Sequence, residues 1–544
     1  MVRVIEGDVC IIGSGITAAM VAEKLAGERN ARIVVIEAGD EAPPLAHRAE
    51  LRRRYLEYGE NCWQRDHIPN HGANGIQSRS MQVGGLAMHW GGVTPRFSPE
   101  DFRVKSLFGV GDDWPLTYED LDPFYQEAEE RMGVAGEQGP PALDPRGKPF
   151  PMPPLPLSYN LRLLKEWAAK SEIALWSQPS AKNSIPYGGR SVCCRSDTCF
   201  PICPVGARYS PDHTWDALRK ENKVELIPRT LVRRLVPDGS SNRISHASAV
   251  DRDRPDAAVE LRASTFVLAG GYAWSPHLLL LSATSRFPKG IANRSGLVGR
   301  YMAGHRNVGA YVQLPLKLYP GINEQHSLVS KQFMRTEGSA ETRSRGSYIR
   351  HDLRIWESSV GRQPRLLGDR KELLLGDALM DDWKRRTETG TARLRSYYDV
   401  LPARESALTL DESRRNEWGD PMPRLDFRDS DTSRLLRKET EERIVRLFER
   451  MAKAGGGEIL SVRRDAFQDH PAGGCRMGDN PATSVTDSFG RSHDHENLYV
   501  IGAPTCVTAG CANGTLTFCA LALRSAVAIG ESFPTRLSPT TMLP

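Results

Sequence analysis

Asp8-Val9-Cys10-Ile11-Ile12-Gly13-Ser14-Gly15-Ile16-Thr17-Ala18 decides the fold of this chain. The unbroken apolar run before Gly13 reads as a strand buried on both faces, and Ala19 to Ala26 continues in helical period. Gly13 permits a tight turn, Gly15 lets backbone amides approach a pyrophosphate, and Ala18 allows the helix to pack closely. A second apolar run, Ile33 to Ile36, ends at Glu37, where a dinucleotide fold places the carboxylate that holds a ribose hydroxyl. The expectation is an α/β protein whose Rossmann-like domain seats the phosphates of a dinucleotide at a helix N-terminus.

The rest of the composition agrees. At 544 residues with 40% hydrophobic content, the chain holds about two to four domains' worth of core. Lys+Arg at 72 against Asp+Glu at 67 gives a net charge of +5, and no basic stretch is interleaved with aromatics, so nucleic acid is not an expected partner. The longest apolar stretches, such as Leu278–Leu281 and Phe518–Leu523, fall far short of the roughly 20 residues that span a bilayer. The opening Met1-Val2-Arg3-Val4-Ile5-Glu6-Gly7 lacks the layout of a signal peptide, so unaided export is not expected.

The stretch Arg79-Ser80-Met81-Gln82-Val83-Gly84-Gly85-Leu86-Ala87-Met88-His89-Trp90-Gly91-Gly92 sets two glycine pairs around a histidine and a tryptophan. Missing side chains there admit a large planar ligand, with His89 available for a hydrogen bond or a covalent link. Together with the glycine turn and Glu37, this stretch resembles the glucose-methanol-choline (GMC) family of FAD-dependent oxidoreductases, as do Trp114 to Tyr118 and Leu121 to Tyr125. The resemblance implies that the dinucleotide is FAD. It also implies that Gly84, Gly85, His89, Trp90, Val232, Ala269, Gly270, Gly502 and Ala503 lie around it, beside Gly13, Gly15, Ala18 and Glu37.

The C-terminal part extends the resemblance through His470-Pro471-Ala472-Gly473-Gly474-Cys475-Arg476-Met477-Gly478, the strand-like Asn497 to Ala503, and Ala512-Asn513-Gly514-Thr515-Leu516-Thr517 leading into a helix over Phe518 to Ile529. Gly514 departs from the proline usual in the family and loosens the turn that carries Asn513. Oxidising an alcohol requires loss of the hydroxyl proton and transfer of the carbinol hydride; by resemblance His470 is the base and Asn513 its partner, also facing the flavin. Asn513 has a second reading, as N-cap of the following helix. For His89 two roles stay open, covalent attachment of the flavin and simple lining of its pocket.

Cys193, Cys194, Cys199 and Cys203 crowd into eleven residues, and Pro204 after the last matches the end of a ferredoxin-type run. The segment resembles the catalytic subunits of bacterial FAD-dependent glucose, gluconate and glucoside dehydrogenase complexes. That resemblance implies a [3Fe-4S] iron-sulfur cluster, with Cys194, Cys199 and Cys203 as ligands and Cys193 as the alternate or as a disulfide partner for a cysteine elsewhere. A zinc site and paired disulfides are the competing readings.

The expected organisation is a discontinuous FAD-binding domain (1–111, 188–306 with the cysteines, and 463–544 with His470 and Asn513) with insertions at 112–187 and 307–462 that form a substrate-binding domain containing a mainly antiparallel sheet. Val224 to Leu235 reads as strand, turn, strand; Thr265 to Gly271 as a buried strand ending in glycines; Arg343 to Arg350 and Ser433 to Lys453 as solvated charged faces, with partner binding the alternative. The function expected is oxidation of a sugar or glycoside hydroxyl, glucoside 3-dehydrogenase being the narrowest form. Electrons would pass from FAD through the cluster to a cytochrome or quinone. A pyranose-oxidase-like sugar oxidase using dioxygen and a non-catalytic flavin redox sensor are the alternatives. By the same resemblance a small signal-bearing subunit carries the chain to the periplasm, the alternative being the cytoplasm.

Overall fold

The computed structural model describes residues 2–60, 62, 80–195, 199, 201–319, 326–334, 349–357 and 372–536. Two sheets build it. In the first, strands Val224–Ile227, Ile33–Ile36, Arg3–Ile12 and Arg254–Leu268 run parallel, Leu498–Val500 adds a further parallel strand beside the end of Arg254–Leu268, and Ile244–Asp251 and Thr230–Pro237 complete an antiparallel edge. Val9 and Ile11 are fully buried beneath Ala18, Ala19 and Ala22 of the helix Ile16–Glu28. Small residues on that helix let it lie close on the sheet. Because Ile12 pairs with both Ile36 and Leu268, the carboxyl ends of three strands finish level, and Gly13, Glu37 and Ala269 emerge side by side.

The second sheet is antiparallel, in the order Glu458–Ala472, Ala303–Leu314, Gly390–Tyr398, Leu353–Glu357, Leu328–Ser330, Trp176–Ser177. Alternation sorts its side chains. Val308, Ala310, Val312, Leu353, Ile355, Ala392 and Leu394 go into a core capped by Ile444, Leu447, Phe448 and Met451 of the helix Asp431–Ala454. The charges of that helix are therefore the outer side of an amphipathic element. From the other face of the sheet Arg354, Trp356, Arg393, Arg395 and Tyr397 reach a cavity shared with the first sheet.

Residues 112–187 give little sheet. They form the helices Tyr118–Met132 and Tyr159–Ala169 and only the two-residue strand Trp176–Ser177. Tyr118–Met132 opens on a capping box at Thr117 and packs on the C-terminal helix Thr515–Gly530, joined by Tyr125 Oη and Thr517 Oγ1 at 2.9 Å. Within the arginine run, 343–348 lie outside the described residues, and Arg350 is not solvated. It is 1% exposed and paired at 2.7 Å with the equally buried Asp101, because a buried carboxylate requires a cation.

Candidate active site

A single cavity of about 1070 Å³ runs from Gly13 and Glu37, past His89, to His470 and Asn513. At its first end, Gly13 has φ +102°, and a Cβ there would stand 2.8 Å from the Ala269 carbonyl oxygen. A Cβ on Gly15 would meet nothing, and Gly15 supplies no side-chain cap to the helix it starts, so the first-turn amides stay available to an anion. Glu37 is 7% exposed; its Oε2 accepts from Ser14 N (3.0 Å) and Ser14 Oγ (2.6 Å), and its Oε1 from Gly39 N (2.9 Å). Oε1 thus keeps a lone pair for a hydroxyl donor. Burial pushes the Glu37 carboxyl above its ordinary pKa, opposed by these donors. This cradle fits a dinucleotide.

Gly85, Trp90, Val232, Gly270 and Ala503 also line the cavity. Ala18, Gly84 and Gly502 do not; they shape its surroundings. Ala18 is fully buried under the sheet, Gly84 N donates to Ser14 Oγ (3.1 Å), and Gly502, at φ +75°, leaves room for Thr17. Ser14, the variable position of the glycine turn, therefore couples Glu37 to the Gly84 loop, a role no spacing rule announces. His89 faces the cavity with Nε2 3.1 Å from Ser80 Oγ, while Trp90 Nε1 donates to the Tyr209 carbonyl at 2.9 Å.

At the far end His470 sits at φ +48°, where the ladder between Glu458–Ala472 and Ala303–Leu314 slips on either side of Asp469. Such an irregularity re-aims a side chain at the end of a strand. His470 Nδ1 lies 2.7 Å from His305 Nε2, and His470 Nε2 lies 2.8 Å from Asn513 Nδ2. Asp469 accepts from Tyr397 Oη (2.7 Å) and from the His470 amide (2.9 Å). Asn513 is not an N-cap: Gly514 holds that position without a side-chain cap, and the amide of Asn513 is used inside the cavity.

Donor and acceptor rules fix the protons. Arg354 Nη2 donates to Asn513 Oδ1, and Arg354 is itself anchored to Asp352 Oδ2 at 2.8 Å. A guanidinium only donates, so the oxygen of the Asn513 amide must face it and the NH2 group must face His470. His470 Nε2 is then an acceptor, and the ring proton rests on Nδ1, donated to His305. Burial lowers the His470 pKa below the ordinary 6.5, with Asp469 opposing and Arg354 and Arg395 adding to the shift. Burial and the neighbouring His470 hold His305 well below its ordinary value too. The outcome is a neutral imidazole whose Nε2 lone pair faces the Asn513 NH2 group at the cavity. Asn513→Asp replaces the NH2 donor by an acceptor, so the protonated ring gains a partner. The acid limb of the kcat/KM profile is expected to move upward by about one pH unit or more, read from initial rates across pH.

Cys193 is partly exposed, Cys194 exposed, and Cys199 and Cys203 buried, all as free thiols. Residues 196–198 and 200 of this loop lie outside the described ones, and among the described residues no three His, Cys, Asp or Glu side chains form a group able to hold a metal. As folded here, the thiols are not a ligand set. The loop is tied to the cavity by Arg208, fully buried, which donates to the carbonyls of Cys199 (3.1 Å), Met88 (2.7 Å) and Trp90. Sequence reading did not reach Arg208, His305, Arg354, Arg395, Tyr397 or Asp469, since each acts through partners that only the fold brings to it, although Arg208 follows the cysteine run and Asp469 precedes His470.

Residues 402–522 match the family model described as GMC oxidoreductase. The chain is 32% identical to the fructose dehydrogenase large subunit of Gluconobacter japonicus over 96% of this chain and 98% of that one. It is 28% identical to the 6'''-hydroxyparomomycin C oxidase of Streptomyces lividus, over 96% and 91% respectively. The crystal structure of pyridoxine 4-oxidase from Mesorbium loti superposes with a TM-score of 0.60 at 18% identity, covering 96% of this chain and 98% of that one, a likeness of fold.

Proposed function

Because this chain belongs to the GMC oxidoreductases, FAD-dependent enzymes that act on CH–OH donors, we propose that it is a dehydrogenase oxidising a hydroxyl of a sugar or glycoside to a carbonyl. One observation carries the reading: the neutral His470 Nε2 and the Asn513 NH2 group, 2.8 Å apart, meet at the cavity. A substrate hydroxyl that displaces this hydrogen bond accepts from Asn513 Nδ2 and donates to His470 Nε2. His470 takes the proton as the C–H bond is weakened, and Asn513 holds the oxygen through the change to carbonyl. When bound, FAD supplies the acceptor for the hydride. Pro471 and the hydrogen-bonded Asp469 hold the imidazole where the strand ends.

For the onward electrons the proposed acceptor is a cytochrome or a quinone. The four clustered cysteines, and the tie from Cys199 through Arg208 to Trp90, support an iron-sulfur cluster on the way. Because the thiols do not form a ligand set, no step is routed through one. The similar protein of Gluconobacter japonicus is named as a large subunit, which supports assembly with a partner subunit; that this partner is small, carries the signal and takes the chain to the periplasm is part of the proposal. Glucoside 3-dehydrogenase stays the narrowest form of the proposal.

The test is anaerobic reduction of the purified flavoprotein by a panel of sugars and glycosides, alongside iron and acid-labile sulfide analysis. The reading expects sugar-driven bleaching, turnover with artificial one-electron acceptors and bound iron. Turnover that requires dioxygen and releases hydrogen peroxide, from protein without iron, would identify a sugar oxidase instead.

A further inference from the structure

The substrate-side wall carries positive charge that the chemistry above does not use. Arg393, Arg395 and Tyr397 alternate onto one face of the strand Gly390–Tyr398, and in the antiparallel register Arg354 stands opposite Arg395 while Trp356 stands opposite Arg393. All three arginines line the cavity. Like charges facing each other across a ladder destabilise a sheet, so this arrangement needs a reason.

Arg354 has one, in Asp352 and Asn513. Among the described residues Arg395 has no carboxylate or amide partner. Its guanidinium lies over the rings of Tyr397 (4.2 Å) and Trp356 (4.7 Å), and its buried Nε has no hydrogen-bond partner. The carboxylates near it are engaged: Asp352 with Arg354 and the Tyr397 amide (2.6 Å), and Asp469 with Tyr397 Oη and the His470 amide. Stacking fixes the plane of the Arg395 fork and leaves its edge of N–H donors for a ligand.

From this we infer that Arg395, supported by Arg393, receives a carboxylate of the substrate, so that the donor is a sugar acid or related polyhydroxy acid. The inference rests on the reading of His470 and Asn513 as the reacting end. A planar carboxylate matches the fork with two parallel hydrogen bonds. A neutral sugar offers hydroxyl acceptors to the guanidinium but no counter-charge, and a protonated amino sugar would bring an ammonium group against three cations.

The test uses the FAD-loaded protein and matched donors, gluconate and glucuronate against glucose, with anaerobic flavin bleaching as the readout. The acids are expected to surpass the neutral sugar in kcat/KM by about 100-fold or more. Arg395→Met should collapse that ratio, mainly through KM, and Arg395→Lys should restore part of it. Succinate, which has no hydroxyl to oxidise, should inhibit competitively and lose at least tenfold in affinity in Arg395→Met. Bleaching by glucose with equal or better kcat/KM, or an unchanged acid-to-neutral ratio in Arg395→Met, overturns the carboxylate site while leaving the oxidoreductase reading intact. Acid-driven bleaching that persists undiminished in His470→Ala overturns the assignment of the base instead, and the Arg395 effect on the ratio would still stand.

Discussion

Replacing His470 with alanine slows flavin reduction by the best donor about a hundred- to ten-thousand-fold, the range that loss of a positioned base produces. The loss appears in kcat and kcat/KM together, because the proton is transferred in the transition state and not on binding. FAD should still bind, since the cradle of Gly13, Gly15 and Glu37 lies at the other end of the cavity. Retained flavin absorbance thus separates a lost base from a misfolded site. In the unaltered protein the acid limb should fall below the ordinary imidazole value of 6.5, since burial keeps His470 neutral to lower pH. Undiminished bleaching in the alanine variant would remove the base assignment, whereas no bleaching by any donor in the unaltered, FAD-loaded protein would favour a non-catalytic flavin subunit.

Arg350→Met is expected to be the most damaging of the changes away from the cavity. Arg350 and Asp101 are both fully enclosed and 2.7 Å apart, and Arg350 also donates to Ser98 Oγ (2.6 Å) and the Met334 carbonyl (2.8 Å). Methionine leaves the Asp101 carboxylate buried without its cation, a loss of about 3–5 kcal/mol. The measurement is the denaturant midpoint of the FAD-loaded protein. The double change Asp101→Asn with Arg350→Met should recover much of the stability, since no charge is then stranded. A single variant with the midpoint of the parent would show that the pair contributes little.

Some of this was legible in the residues and some was not, and the division follows the range of the forces involved. The turn Gly13-Ser14-Gly15 and the strand before it are local: sterics at φ +102° and an unbroken apolar run specify them with little help from the rest of the chain. The strands Ile33–Ile36, Val224–Ile227 and Thr265 to Leu268 were readable as apolar runs for the same reason; which of them pair, Ile33–Ile36 and Thr265 to Leu268 with that run and Val224–Ile227 with Ile33–Ile36, was decided by folding. Within the inserted domain the antiparallel sheet comes almost wholly from 303–472, while 112–187 adds two helices and the short strand Trp176–Ser177. Arg350 was misread as solvated, because its partner Asp101 lies 249 residues away.

By itself the sequence determined the dinucleotide turn, the glycine loop around His89 and the singling out of His470 and Asn513, all features written in contiguous residues. Only the tertiary structure decided how those two are used. The proton on Nδ1 of His470 follows from His305 on one strand, from Arg354 on another and from Asp352 behind it, partners between 43 and 165 residues distant along the chain for the hydrogen bonds that matter. Hydrogen bonding is directional and short-ranged, so the identity of a donor can be settled only once folding has brought its acceptor within about 3 Å.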